Sequence, residues 1–361
     1  MPPILLPLPT GQGWLIQRIE ELDYTTEKEG LCNGVAYTAM LYALSDCITR
    51  FDQLLECVYR TSSEELSKKM KPRNKTEITS DFIDIRVLLE TIGLCHDVSE
   101  HPELFSQDML LKHQDGLQAT SLVLSEQLEK QGGLVRLGQF CGVYEEDDLM
   151  IYFDSLHQNI DKISSPPPPL IVFILSSVHH AIMVGCDSNN KQWLFVDAEQ
   201  LPTHFVDIRN SGEIAKKVMI SFLANKDADA VIFNTKIYAM ESNRETLSDI
   251  IQSWQEDPKF KKIHKISYEK TKLLDSDNNS YLHLIAGCGL FKDIQFVLSI
   301  NKKNINAKNN RGCTALQLAV ERSQVENVQN LIQNGADIHV KLPYDDFTLM
   351  HLAAFRCILR S

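Results

Sequence analysis

Apolar positions along the first 240 residues follow two regimes, divided at Gly132 and Gly133. Ahead of that pair they recur at helical spacing. Residues 14–22 form a short helical pattern, and residues 35–44 form an apolar run rich in Ala, Met and Leu, suited to a buried helix. Residues 82–92 give a third helix, with Gly93 placed to end it. Behind the glycines, short β-prone runs take over at 134–137, 170–175, 181–185, 193–196 and 231–239. An acid-capped helix is predicted at 145–158, and prolines at 166–169 forbid helix and deliver extended chain. The segment DSNN at 187–190 reads as a hairpin connection. Helices first and an antiparallel sheet after predict an α+β domain over residues 1–240. A helix at 245–254 makes residues 241–270 a helical linker.

Beyond residue 270 the pattern becomes a repeat. SYLHLIA from Ser280, TALQLAV from Thr314 and TLMHLAA from Thr348 align without gaps, and their starts lie 34 residues apart. The small Ala286, Ala319 and Ala353 let helices approach closely, while the leucines fill a stacked core. These segments resemble ankyrin repeats, whose period is ~33 residues, and Asn334 to Asp337 stand where such repeats turn from outer helix to finger. The resemblance implies an all-α solenoid over residues 271–361, of three repeats with the last incomplete, that binds proteins. Candidate contact residues precede the repeat starts: Asp277, Asn278, Asn309, Arg311, Tyr344 and Asp346. Ordinary turn chemistry suits several of them equally well. The third repeat stops at Ser361 without a second helix or a polar cap, so the chain is expected to be a shortened form of a longer protein.

Composition narrows the function classes. At 43% hydrophobic and 23% charged, the 361 residues are those of a water-soluble chain with two domains. The net charge of −12 is uneven: residues 271–361 hold 10 Lys+Arg against 8 Asp+Glu, a net +2, which leaves −14 ahead of them. Such an acidic front opposes direct nucleic-acid binding. The basic run at 68–75 reads as a solvated loop. Nine cysteines stand singly, with no CxxC pair, which argues against a disulfide framework and favours a reducing compartment. The proline-interrupted start lacks a basic leader, and the strongest apolar stretch, 170–175, is far too short to span a bilayer. No cofactor is called for. His179, His180, Cys186 and Asp187, or Cys95, His96 and His101, lack zinc-ligand spacing, so no metal is expected.

Three separated segments carry chemistry: GLCNG at 30–34, HHAIMVG at 179–185 and WLFVD at 193–197. Cys32 precedes the apolar helix and falls in its first turn, where free N–H groups favour negative charge and face an acyl oxyanion. His180 opens a strand and is placed as proton carrier for the thiol. Asp197 closes the next strand, 17 residues later, where a hairpin brings it beside the imidazole. The adjacent His179 leaves a one-residue ambiguity, decided for His180 because Ala181 follows it. Gln12 and Gln17 both precede the nucleophile as candidate side-chain oxyanion donors. A buried packing cysteine and a surface histidine are the bland reading of the same residues.

Gly-x-Cys opening a helix, His-Ala opening a strand and Phe-x-Asp closing the next resemble papain-fold cysteine proteases, the YopT-type bacterial effectors in particular. Joined to ankyrin repeats, the arrangement is similar to the ankyrin-repeat effectors of Legionella of the AnkH type. The resemblance implies a papain-like α+β domain with Cys32 as nucleophile, His180 as base and Asp197 as orienter. It also implies type IV secretion into a eukaryotic cell, action in the host cytosol or nucleus, and host proteins as targets of a monomeric effector. The YopT-like pattern continues Asp-Pro-Asn where this chain has Asp197, Ala198 and Glu199. A pseudo-enzyme that only binds would keep the same fold.

Overall fold

The computed structural model describes residues 8–24, 30–70, 80–100, 128, 130, 132–163, 167–223, 228, 230–288, 290–342 and 348–358. Helices lead: α1 Gly13–Glu21, α2 Cys32–Leu44, α3 Ile48–Arg60, α4 Ser63–Met70 and α5 Ser80–Glu100. A mixed region follows, with β1 Leu134–Tyr144, α6 Glu146–Ile163, β2 Ile171–Ser176, β3 Ala181–Asp187, β4 Gln192–Asp197, β5 His204–Asp207, α7 Ser211–Leu223 and β6 Val231–Met240. The strands form one antiparallel sheet in the order β1-β6-β2-β3-β4-β5. The expected α+β order, with an antiparallel sheet behind the helices, is therefore present.

Why the strands are apolar on successive positions follows from what covers the sheet. Val172, Ile174, Met183, Leu194 and Val196 point into a cluster with α2, α3 and α5. Their neighbours Phe173, Leu175, Val184, Trp193 and Phe195 point the other way, toward α6 and α7. A sheet buried on both faces needs no polar alternation. Helix α2 is likewise buried on nearly every side. At Gly34 it meets the backbone of α5 so closely that a Cβ would lie 2.3 Å from the carbonyl oxygen of Ile92.

Two local expectations are corrected. Gly93 does not end its helix, because α5 runs on to Glu100 and buries Cys95 and His96 in the next turn. Lys68 and Lys69 lie on α4 rather than in a loop, paired to Glu64 and Glu65 one turn earlier; the rest of that basic run, 71–75, lies outside the described residues.

Residues 241–270 are mostly helical, as α8 Arg244–Glu256 and α9 Pro258–His264. Leu247, Ile250, Trp254, Phe260 and Ile263 bury themselves in the cluster beneath α6 and α7. The repeats follow as α10 Tyr281–Cys288, α11 Phe291–Ile300, α12 Ala315–Glu321, α13 Val325–Gln333 and α14 Leu349–Ile358. Ser280, Thr314 and Thr348 each start an inner helix. In the first and third, the Nδ1 of His283 and His351 accepts the N–H of Ser280 and Thr348, both at 3.1 Å. In the second, Gln317 replaces the histidine and Thr314 N–H donates to its Oε1 at 2.7 Å, completing a capping box.

The repeats stand on the sheet itself. Along β6, Ile232 packs into the repeat cluster with Tyr281, Leu282 and Ile285, whereas Tyr238 and Met240 pack into the helical lobe. These positions are even-numbered and share one face. Asn234 and Lys236 lie between them on that face, and Lys236 Nζ donates to Tyr37 Oη at 3.1 Å. Tyr281 Oη donates to the Cys141 carbonyl of β1 at 3.2 Å.

Candidate active site

Gly30 has φ +113°, a left-handed conformation, and a Cβ there would lie 3.0 Å from Gln12 Nε2. Glycine two residues ahead of the thiol is thus required by backbone and by space. Leu31 forms the N-cap of α2, and Cys32 is its first helical residue, 6% exposed. The Sγ lies 3.9 Å from the His179 carbonyl oxygen. That carbonyl belongs to a tight turn: Ser177 N–H donates to His180 O at 2.8 Å, and Ser177 Oγ accepts the N–H of His180 at 3.1 Å. The turn delivers His180 just ahead of β3.

His180 Nε2 lies 3.1 Å from Asp197 Oδ1. With that nitrogen turned to the carboxylate, Nδ1 is left for the sulfur. Asp197 is 1% exposed at the end of β4. Its Oδ1 also accepts Glu199 N–H at 2.9 Å, and its Oδ2 accepts the Ser221 hydroxyl at 2.5 Å. Burial alone would push the imidazole down, but hydrogen bonding and charge from Asp197 and Cys32 outweigh it and raise His180 to about 10. Burial likewise works to raise Asp197, yet the His180 partner, Ser221 and the Glu199 amide hold it below its ordinary value. An imidazole kept charged at neutral pH, close to a sulfur, is what a thiolate nucleophile needs opposite it. Cys32, His180 and Asp197 are thus brought together, and of the two adjacent histidines it is His180 that stands at Asp197.

Gln12 and Gln17 separate clearly. Gln17 Nε2 donates to Glu21 on its own helix at 2.8 Å. Gln12 reaches the nucleophile's loop: its Oε1 accepts Leu31 N–H at 2.6 Å, and its Nε2 donates to Glu199 Oε1 at 2.6 Å. An N–H on one side and a carboxylate on the other allow only one orientation of that amide. One Nε2 proton is thereby committed to Glu199, and the other is the donor that an oxyanion role would use. Sequence reasoning missed Glu199 and Ser221. Glu199 was visible only as the residue that breaks the Asp-Pro-Asn pattern, and Ser221 sits on α7, a helix that carried no signal of its own.

The residues proposed for protein contact have mixed surroundings. Asn278 is exposed, and its Nδ2 donates to Asn310 Oδ1 at 2.5 Å in the neighbouring finger. Asp277 is half-buried and accepts Asn310 N–H on its carbonyl at 2.8 Å. Asn309 is buried, its Oδ1 accepting Arg311 N–H at 3.1 Å and Cys313 N–H at 2.9 Å, so it shapes the finger from within. Arg311 is half-buried beside it, and Tyr344 and Asp346 lie outside the described residues. Among the described residues no group of three His, Cys, Asp or Glu is placed to hold a metal ion, and no helix is long and apolar enough to cross a membrane.

A family model described as ankyrin repeats (3 copies) matches residues 236–342. The match begins within β6 and takes in α8 to α13, stopping short of the third start at Thr348. An ankyrin repeat protein of Rickettsia bellii (strain RML369-C) is 45% identical over 65 residues, 18% of this chain and 38% of that protein. The chain thus spans under two fifths of the length of the curated relative it matches. What these matches and the paired helices beyond the sheet establish is that the C-terminal part of this chain carries ankyrin repeats, a scaffold for protein–protein interaction.

Proposed function

We propose that the chain is a papain-like cysteine hydrolase, a protease in its most direct form, that acts on proteins recruited by its ankyrin repeats. The observation that carries the reading is His180, raised to about 10 between Cys32 and a buried Asp197. In the proposed cycle the Cys32 sulfur attacks a carbonyl and Gln12 Nε2 with the Cys32 N–H receive the oxyanion. The tetrahedral intermediate then collapses to an acyl-enzyme, and His180 passes its proton to the leaving group. Water, deprotonated by His180, next releases the acyl group and restores the thiol. Transfer of the acyl group to an acceptor other than water, or attack on a side-chain amide, would use the same groups. Delivery by a bacterial secretion system and host proteins as targets belong to this proposal through the YopT-type and AnkH-type resemblance.

Alkylation by iodoacetamide, resolved by peptide mass spectrometry, tests the site. Cys32 is expected to react about tenfold or more faster than a free thiol at neutral pH, and His180→Ala to remove the advantage. A Cys32 that reacts no faster than free thiol overturns it. A second reading, a protein-binding scaffold with an inert thiol groove, draws support from the 6% exposure of Cys32 and from the repeats themselves. Host cells expressing Cys32→Ala decide between the two: an undiminished effect favours the scaffold.

A further inference from the structure

We propose that the ankyrin stack positions the His180–Asp197 pair, with Arg322 and Ser276 as positioning residues. The inference rests on the reading of Cys32, His180 and Asp197 as a working site. Two contacts from the stack reach the surroundings of that pair. Arg322, the C-cap of α12, donates from Nη2 to the Val178 carbonyl at 3.4 Å. Val178 lies in the turn that delivers His180, and its side chain packs against the apolar cluster of the repeats. On the other side, Ser276 in the first finger donates its hydroxyl to the Phe222 carbonyl at 3.0 Å. Phe222 sets its ring edge-on to His180 at 5.8 Å, and its neighbour Ser221 holds Asp197 Oδ2.

The imidazole and its carboxylate are therefore each one residue or one turn away from a contact made by a repeat. Both contacts are made to backbone carbonyls beside the pair, so their effect is on orientation. A tight turn with its middle residue fixed from outside has little freedom to swing its last residue. Displacing α12 would relax the hold on Val178, and displacing the first finger the hold on Phe222, which makes the occupancy of the repeats a means of tuning the thiol. Cys32 from α2 and Asp197 from β4 are the charged partners that raise the imidazole, and Arg322 is the cation that the stack brings to the turn ahead of it.

The test uses the full chain as Arg322→Ala, Arg322→Lys and Ser276→Ala, with two readouts. One is the Cys32 alkylation rate between about pH 5 and about pH 10. The other is the NMR titration of the His180 imidazole in histidine-labelled protein, assigned with His180→Gln. Arg322→Ala is expected to slow alkylation by about three- to tenfold at neutral pH and to move the His180 midpoint toward the ordinary imidazole value. Arg322→Lys should recover most of both, and Ser276→Ala should shift both in the same direction by less. Melting temperatures control for stability, and Ser276→Ala carries the test if Arg322→Ala does not fold. Superimposable pH profiles and an unmoved His180 midpoint in folded variants overturn the proposal. If the wild-type thiol has no enhanced reactivity, the hydrolase reading fails, while the His180 midpoint still decides whether the stack positions the imidazole.

Discussion

Ser221 and His180 occupy opposite oxygens of one carboxylate: the Ser221 hydroxyl donates to Asp197 Oδ2 at 2.5 Å, while His180 Nε2 lies 3.1 Å from Oδ1. The carboxylate cannot rotate away from the imidazole without breaking a short hydrogen bond. Ser221→Ala should therefore lower the rate of Cys32 alkylation at neutral pH by about tenfold, the worth of one hydrogen bond to a charged group. Ser221→Thr, which keeps the hydroxyl, should recover part of it. An unchanged rate in Ser221→Ala would show that Asp197 is held well enough by its other partners.

Gln12 acts, in the proposed cycle, after the thiol has attacked. Gln12→Ala should cost about a hundredfold in turnover of an acyl substrate, the scale of one lost oxyanion donor. Alkylation of Cys32 forms no oxyanion and should change little. Glu199→Gln should preserve alkylation and reduce turnover by less. Equal losses of turnover and alkylation in Gln12→Ala would place its role in holding Leu31 and the nucleophile's loop instead.

The charge state of the site sets a window of stability. His180 is raised from 6.5 to about 10, so the stability it contributes is whole below pH 6.5 and is lost as pH rises through 10. Asp197 is lowered from 3.8, so its contribution is present above that pH and is lost as pH falls through its folded value. Denaturant titration of wild type and His180→Ala should show the largest gap near neutral or mildly acidic pH. The gap should close toward pH 10, and one that widens there would contradict the assignment.

Asp52 offers a contrasting case. It is 1% exposed on α3 and accepts both the N–H and the hydroxyl of Thr203 at 2.9 Å. Burial outweighs these bonds and pushes it from 3.8 up to about 6. A raised carboxyl has the opposite sign: its burial weakens the fold as pH rises from 3.8 through 6. Asp52→Asn keeps an acceptor for Thr203 and removes the buried charge. It should stabilise the chain at neutral pH by up to about 3 kcal/mol and do little in acid. Asp52→Ala, which leaves Thr203 without its acceptor, should destabilise at both.

Gly34→Ala should unsettle the helical lobe. Its Cβ would come to 2.3 Å from a backbone oxygen on α5, which no side-chain rotation relieves. A loss of about 3 kcal/mol in denaturant unfolding is expected, together with weaker Cys32 reactivity because α2 must move as a body. Gly93→Ala, with open space at its Cβ, should be neutral or slightly stabilising by comparison.

How much of this was legible depended on whether a feature leaves a local mark. Apolar runs such as 170–175 announced their strands, and the 34-residue spacing of Ser280, Thr314 and Thr348 announced the repeats. The turn at 187–190 joined two strands as its composition required. Strand β5 was not legible because four residues with one buried side chain leave no periodic trace. Gly93 misled because a glycine marks a helix end only when nothing apolar waits in the next turn, and here Cys95 does. Ser221 and Arg322 were out of reach for a different reason: their roles exist only once distant segments have met. A serine on a helix face and an arginine after a repeat helix look like ordinary surface chemistry until the sheet brings them to Asp197 and Val178.

Because β6 carries the helical lobe at one end of a face and the repeats at the other, the thiol proposed to react and the repeats are separated by a few strand residues instead of a length of loose chain. For the function proposed above, the local concentration of a docked protein at the thiol would be fixed by rigid geometry and would not decay with linker length. A substrate of that activity would have to present its docking epitope and its reacting segment at one particular spacing. Under the proposed activity, proteins with the right segment at the wrong distance would be left untouched, and the sheet would act as a ruler.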